Sequence, residues 1–461
     1  MVFPTLDFVL FFALVLGLNL ALFRLNGWRK GMLIAASFWF YAAWDVRFLA
    51  LMSGVILLAW IGGLPGARKA TALRTLCIAG LLGCLAFFKY FNFFLLSFAN
   101  LLGEAGLSRD FSWAQVVLPV GISFYVFQAI SYIVDCARAD VPPRRNPFDV
   151  ALYVSFFPQL VAGPIVRAAE FLPQLDRPER PTSAMRGMAV ALILAGMVKK
   201  LVVANYVAVL LVDPVYTNPA AQGAPQALAA LLGYAVQIYC DFSGYSDIAI
   251  GVALLLGYRF SANFNQPYRA ASFREFWQRW HISLSTWIRD YLYIPLGGNR
   301  GGKARQAVTL LVVMGLAGLW HGAAWTFVIW GLAHGALVAG ERLSGQHRAT
   351  SLRPLRIGVV FTLVTLLWLP FRARDMGQVG EMLGALIRPA SEFSLALHPF
   401  ALVLIGAGLM ISALPLRWFT RSGQALGRIG PELQAGALAL GLVILFAMAQ
   451  EGTAPFIYFQ F

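Results

Sequence analysis

Charge is what this sequence has least of. Asp, Glu, Lys and Arg together make up 12% of its 461 residues, against about 25% in an ordinary soluble domain. A water-soluble fold of this composition would expose large apolar patches, so a soluble globular protein is excluded. Cysteine is scarce as well. Cys77, Cys84, Cys136 and Cys240 all lie in or beside apolar runs, and no C-x-x-C pair occurs, so neither a zinc site nor a thioredoxin-like site has support. No G-x-S-x-G elbow, phosphate-binding loop or H-E-x-x-H zinc pattern is present, which leaves covalent serine or cysteine relays without a sequence basis. The first apolar segment, from Leu6 to Phe23, has neither a basic leader nor an A-x-A site, so it is expected to be a retained helix.

What is there is apolar: 59% of the residues are hydrophobic and 14% aromatic. Runs near 20 apolar residues are candidate spanning helices. They fall at 5–24, 31–44, 48–65, 74–98, 115–136, 187–212, 226–256, 306–320, 322–340, 357–371, 400–415 and 433–450, which gives ten to twelve membrane segments in a single domain, 1–461. The net charge of +15 is distributed in short gaps between these runs, not along a stripe on a polar domain. That is a topology signal and excludes a nucleic-acid partner. Arg24, Arg29 and Lys30 follow the first run, Arg68, Lys69 and Arg74 the third, and Arg138, Arg144 and Arg145 the fifth; Arg47 and Arg109 stand alone in the alternate gaps. The N-terminus is therefore expected outside, on the periplasmic side, with 258–305 and 342–356 facing the cytoplasm.

Two stretches do not fit a simple bundle. FFPQLVAGPIVR, 156–167, is apolar, too short to span, and broken by Pro158, Gly163 and Pro164. Unpaired backbone in lipid is costly, so this segment is expected to be re-entrant and covered by protein; a surface loop is the alternative. The run 306–340 holds GLWHGAAW at 318–325 and predicts a hairpin with His321 near its bend.

Only five histidines occur, and His347 and His398 sit in a basic loop and at a boundary. His321 lies inside an apolar run, where an ionisable group is by default functional, and imidazole suits proton transfer near neutral pH. Gly318 and Gly322 permit close backbone approach, and Trp320 and Trp325 are expected to wall the site. His281 lies in FREFWQRWHISLSTWIRDYLYIPLGG, 273–298. Phe273, Phe276, Trp277, Trp280, Leu284, Trp287, Ile288 and Tyr291 recur at helical spacing, which predicts one amphipathic helix with His281 on its buried face. Arg289, Asp290 and His334 are further candidates, His334 with packing as its competing role. On 226–256, Tyr234, Gln237, Asp241 and Tyr245 share one stripe. Asp241 is either functional or a structural charge neutralised by Lys199 and Lys200. An ion-coupled acyl or lipid transporter would use the same groups.

RWHISLSTWIRDYLYIPLGGNRGG (279–302), GLWHGAAWTFVIWGLAHG (318–335), DFSGYSDIAIG (241–251), LPVGISFYVFQAISYIVD (118–135), FFPQLVAGPIVR (156–167) and the terminal PFIYFQF (455–461) resemble the membrane-bound O-acyltransferase (MBOAT) family. LGGNR, 296–300, favours its alginate O-acetyltransferase AlgI type over the DltB type, which D-alanylates teichoic acids. The resemblance implies an all-α polytopic membrane protein: a ring-like helical bundle with re-entrant segments and a central tunnel. It makes His321 the catalytic base and His281 the second family histidine. Asp241, Tyr245, Gln237, Trp320 and Trp325 become tunnel candidates. The implied activity is O-acetylation of an extracellular polysaccharide such as alginate. The substrate donor would be acetyl-CoA or an acyl-carrier thioester, with no resident cofactor and no metal. Membrane lipid and a periplasmic SGNH-type acetyltransferase are the implied partners, and the bacterial inner membrane the location. LLWLPFRARDM, 366–376, is less aromatic than the matching family stretch. It stands apart from both histidine motifs in sequence, and is expected to bear on acceptor or partner and not on the catalytic centre.

Overall fold

The structure, a computed structural model, describes residues 3–66, 70–104, 107, 115–161, 163–345, 352–392 and 394–449. Arg68, Lys69, Arg109, His347 and the terminal 455–461 motif lie outside the described residues. All regular structure among the described residues is helical. A helix stands at every expected apolar run, from Leu6–Ala21 and Asn26–Ala42 to Pro431–Ala447. This is an all-α polytopic membrane protein.

Two expectations change. The run at 115–136 becomes helical only from Ile122, because Pro119 and the left-handed Gly121 (φ 73°) cannot propagate a helix. The run at 400–415 is cut short: Pro399–Ala413 and Leu416–Leu426 meet at 86°, with Pro415 at the break, where the preceding residue is pushed out of helical geometry. Four described helices, Thr71–Gly103, Ser183–Thr217, Ala224–Leu255 and Arg353–Arg372, are long and apolar enough to cross a bilayer, or five if the bent pair is one span. Leu6–Ala21 and Phe48–Gly63 have 16 residues each, or about 24 Å, short of a hydrocarbon core of about 30 Å.

The chain forms two compact units. In the first (Met1–Pro181 with Val252–Phe260) the 156–167 segment is covered by protein, as a re-entrant element requires. Phe156, Phe157 and Leu160 are fully buried. Phe157 packs among the rings of Phe8, Phe11, Phe12 and Phe40. Its backbone polar groups find partners inside the unit. Phe157 N–H donates to Ser37 Oγ at 3.1 Å, and Val166 O accepts from Tyr153 Oη at 3.0 Å. Gly163 is needed here, since a Cβ would lie 2.6 Å from Gln159 Cα. Buried Arg29 donates to Asn19 Oδ1 at 2.7 Å and to Leu256 O at 2.8 Å, which satisfies a cation that would otherwise be expensive to bury.

In the second unit (Thr182–Gly251 with Ser261–Phe461), the helix from Ser183 widens into π-helical turns at Val198–Ala204. It lies against the Ala224–Leu255 helix through Gly196 and Gly244; a Cβ on Gly196 would come within 2.6 Å of Gly244 O. The hairpin forms as expected: Gly302–His321, a short turn, then Trp325–Leu343. Its two helices meet backbone to backbone. A Cβ on Gly318 would stand 2.1 Å from Phe327 O, and one on Gly331 2.2 Å from Met314 O. Both neighbours are main chain and cannot move aside cheaply. Gly331→Ala is therefore expected to destabilise by about 3 kcal/mol or more, the upper range for overpacking. Gly340→Ala, on the same helix with nothing within 4 Å, is the matched control. Detergent-solubilised thermal unfolding checks the pair; equal midpoints for the two variants would refute the backbone contact.

Candidate active site

The expected amphipathic helix over 273–298 is two helices. Phe273–Arg279 is capped by Ser272 Oγ, which accepts from Glu275 N, and Ile282–Ile288 follows. Between them His281 takes a left-handed backbone, φ 42°. The break has a local cause. Residues 263–265 run alongside and compete for main-chain hydrogen bonds: Asn265 N donates to Arg279 O, and Ile282 N to Asn263 O, both at 2.9 Å. His281 is nevertheless fully buried, as the spacing implied.

Asn263 defines how the His281 ring is held. Its Oδ1 accepts from Ser283 N at 3.2 Å and Ser283 Oγ at 2.9 Å, and lies 3.2 Å from His281 Nδ1. A backbone N–H can only donate, so the Asn263 atom at this point is the oxygen. His281 Nδ1 must then carry the hydrogen, leaving the lone pair on Nε2. Asn263 is itself oriented by Nδ2 donating to Ser246 Oγ at 3.2 Å, and Phe242 stands edge-on to the His281 ring at 4.6 Å. The DFSGYSD segment thus serves the site through Phe242 and Ser246.

His321 is the last residue of its helix. Its ring lies 6.5 Å from that of His281, centroid to centroid, 5.0 Å from Trp320 and 5.1 Å from Trp330. All four rings are buried. The structure brings together the two histidines that the sequence singled out from stretches forty residues apart.

Phe371 is the correction. The 366–376 stretch was expected away from the catalytic centre, yet Phe371 stands 5.5 Å from His321 and 5.0 Å from Trp330, with Trp368 stacked 5.9 Å from Trp330. The Arg353–Arg372 helix closes the aromatic box from the far side of the chain, a contact that no local pattern announces. Trp325 is also corrected: as the first residue of the second hairpin helix it is 60% exposed and does not wall the site. Arg289 and Asp290 pair with each other at 2.7 Å, Arg289 at the surface, and do not join the histidines. His334 is fully buried, its ring 4.8 Å from Trp330 and 5.1 Å from Trp277. Neither of its ring nitrogens has a hydrogen-bond partner among the described residues.

Asp241 and Tyr245 are buried and Gln237 is half-buried. Asp241 pairs with buried Lys200 at 2.5 Å, and Lys199 pairs with Asp247 while donating to Ser243 Oγ. Two ion pairs bridge the Ser183–Thr217 and Ala224–Leu255 helices, so each charge is compensated as burial requires. Among the described residues no group of three or more His, Cys, Asp or Glu could hold a metal ion.

A family model described as MBOAT, membrane-bound O-acyltransferase family, matches residues 76–367, a range that contains both histidines and Asn263. The chain belongs to the membrane-bound O-acyltransferase family. It is 39% identical to the probable alginate O-acetylase AlgI of Pseudomonas putida, over 98% of this chain and 99% of that one. To the peptidoglycan O-acetyltransferase of Helicobacter pylori it is 35% identical, over 79% and 77% of the two chains. The teichoic acid D-alanyltransferase of Bacillus subtilis is more distant, at 29% over 48% and 58%. The chain is thus an O-acyltransferase of the AlgI type, and its substrate is an acyl donor.

Asn263→Ala removes the acceptor that fixes the His281 ring. It is expected to lower acyl transfer about 100-fold, the scale of a misplaced reacting group, with membrane insertion unchanged. Asn263→Asp keeps the acceptor and should retain most of the activity. Equal rates in both variants, measured at matched expression, would sink the positioning role.

Proposed function

We propose that this protein takes an acetyl group from a cytoplasmic thioester and passes it outward for O-acetylation of an extracellular polysaccharide such as alginate, with His321 as the general base. The observation that carries the reading is the pair of buried imidazoles, 6.5 Å apart, at the closed end of the hairpin. His321 takes the proton from the acceptor hydroxyl. The hydroxyl oxygen then attacks the thioester carbonyl, the C–O bond forms, the C–S bond breaks, and the proton passes to the departing thiolate. The lone pair on His281 Nε2 faces the same box as a hydrogen-bond acceptor and positions donor or acceptor. Trp320, Trp330 and Phe371 exclude water, which strengthens these interactions and suppresses hydrolysis of the donor. His334 has a packing role behind Trp330.

The whole chain, 1–461, works in this reading as one catalytic domain of the inner membrane, with its N-terminus in the periplasm. The donor is acetyl-CoA or an acyl-carrier thioester, and a periplasmic SGNH-type acetyltransferase is the onward partner. The D-alanyl reading is weaker, because the teichoic acid relative matches less than half of this chain. The transporter reading is weaker: it leaves the paired histidines without a role, and structural neutralisation accounts for Lys199 and Lys200 against Asp247 and Asp241.

His321→Ala should reduce O-acetyl ester in the host's extracellular polysaccharide at least about 100-fold, the lower range for losing a general base, at unchanged membrane abundance. Ester content measured after alkaline release decides. Unchanged acetylation overturns the assignment of the base, and loss of D-alanyl ester instead would transfer the reading to the teichoic acid branch.

A further inference from the structure

A second feature of the hairpin lies at its open end, remote from the histidines. There the two helices part around a cavity of about 370 Å³, lined by Lys303, Gln306 and Leu310 on one arm and Ala339, Arg342 and Leu343 on the other. Its electrostatics are one-sided. No acidic residue lines it. Arg342 is held by neutral acceptors, Tyr293 Oη at 3.1 Å and Asn299 Oδ1 at 2.8 Å, which fix the guanidinium without cancelling its charge. The adjacent acid, Glu341, is engaged elsewhere: it accepts from Phe273 N and Arg274 N and faces Arg356 at 4.0 Å. Two cations with no acidic partner among the described residues stand beside one cavity, one of them a preoriented guanidinium with N–H groups to spare, and they match a phosphate group.

The floor of the cavity is apolar, through Leu310, Ala339 and Leu343. The neighbouring outer face of the Gly302–His321 helix exposes Val308, Val312 and Leu316, the surface a helix presents to acyl chains. A phosphate that arrives here with a lipid tail would keep the tail on that apolar face. We propose that this cavity is a headgroup site for an anionic membrane phospholipid, with Lys303 and Arg342 clamping its phosphate across the open end of the hairpin whose closed end carries His321. The shared chemistry is a phosphate group, and a soluble phosphate compound is the competing source.

Native mass spectrometry of the full chain in detergent tests this, with phosphatidylglycerol and phosphatidylcholine of matched acyl chains as lipid arms and pyrophosphate as the soluble arm. Retention of phosphatidylglycerol over phosphatidylcholine is expected. Each neutralised cation should weaken it about fivefold and both together about thirtyfold, from the usual contribution of a basic residue at an anionic lipid surface. Lys303→Gln is the informative single variant, because no hydrogen bond of Lys303 has to be broken to make it. It stays readable if Lys303→Gln/Arg342→Gln fails to fold through loss of the Tyr293 and Asn299 contacts. Equal retention of the two lipids, or retention unaffected by Lys303→Gln, overturns the site. Pyrophosphate binding that depends on Lys303 without any phosphatidylglycerol preference overturns the lipid assignment.

Discussion

Two helices packed main chain to main chain set the position of His321 in this protein. Between apolar helices in a bilayer, water supplies no strong drive to associate, and close van der Waals contact has to do so. Gly318 and Gly331 make that contact possible, and their places along the chain select which rings meet. His321 comes one turn after Gly318, and Trp330 immediately before Gly331. The contact that holds the hairpin therefore also brings imidazole and indole edge to face at 5.1 Å. Stability and geometry rest on the same few atoms.

Several charged and main-chain groups elsewhere follow the companion constraint, that a polar group removed from water needs a partner within the protein. Arg29 is tied to Asn19 and a carbonyl, and Lys199 and Lys200 are matched to carboxylates on the facing helix. The broken 156–167 segment places its backbone against Ser37 and Tyr153. Against this background the histidine box stands out, since its walls are rings, not counter-charges. In the proposed reaction His321 works inside that ring-lined box.

Much of this was legible in the sequence, for identifiable reasons. Apolar runs announce helices because nothing else satisfies the backbone in lipid, and the rarity of histidine drew attention to His321 and His281 directly. What was hidden was tertiary. Asn263 sits in an unremarked polar loop eighteen residues before His281, and its role exists only because that loop folds back beside the helix break. Phe371 and Trp368 belong to a helix whose sequence is merely apolar. Trp325 belongs to the same motif as Trp320, yet the turn at 322–324 sends it outward, which motif membership could not show. The break at His281 was masked because the apolar residues on either side keep helical spacing through it.

That break has a further consequence. His281 is one of four described non-glycine residues with positive φ, a conformation that costs most side chains about 1 kcal/mol or more and that Asn, Asp and His tolerate best. If the proposed reaction holds, the residue at 281 passes two independent filters, one on backbone shape and one on ring chemistry. Asn and Asp satisfy the first and lack the ring that the second asks for; Lys or Tyr would strain the chain. Imidazole is the side chain that meets both demands, so the proposed reaction and the fold together narrow the choice of residue here more than either would alone.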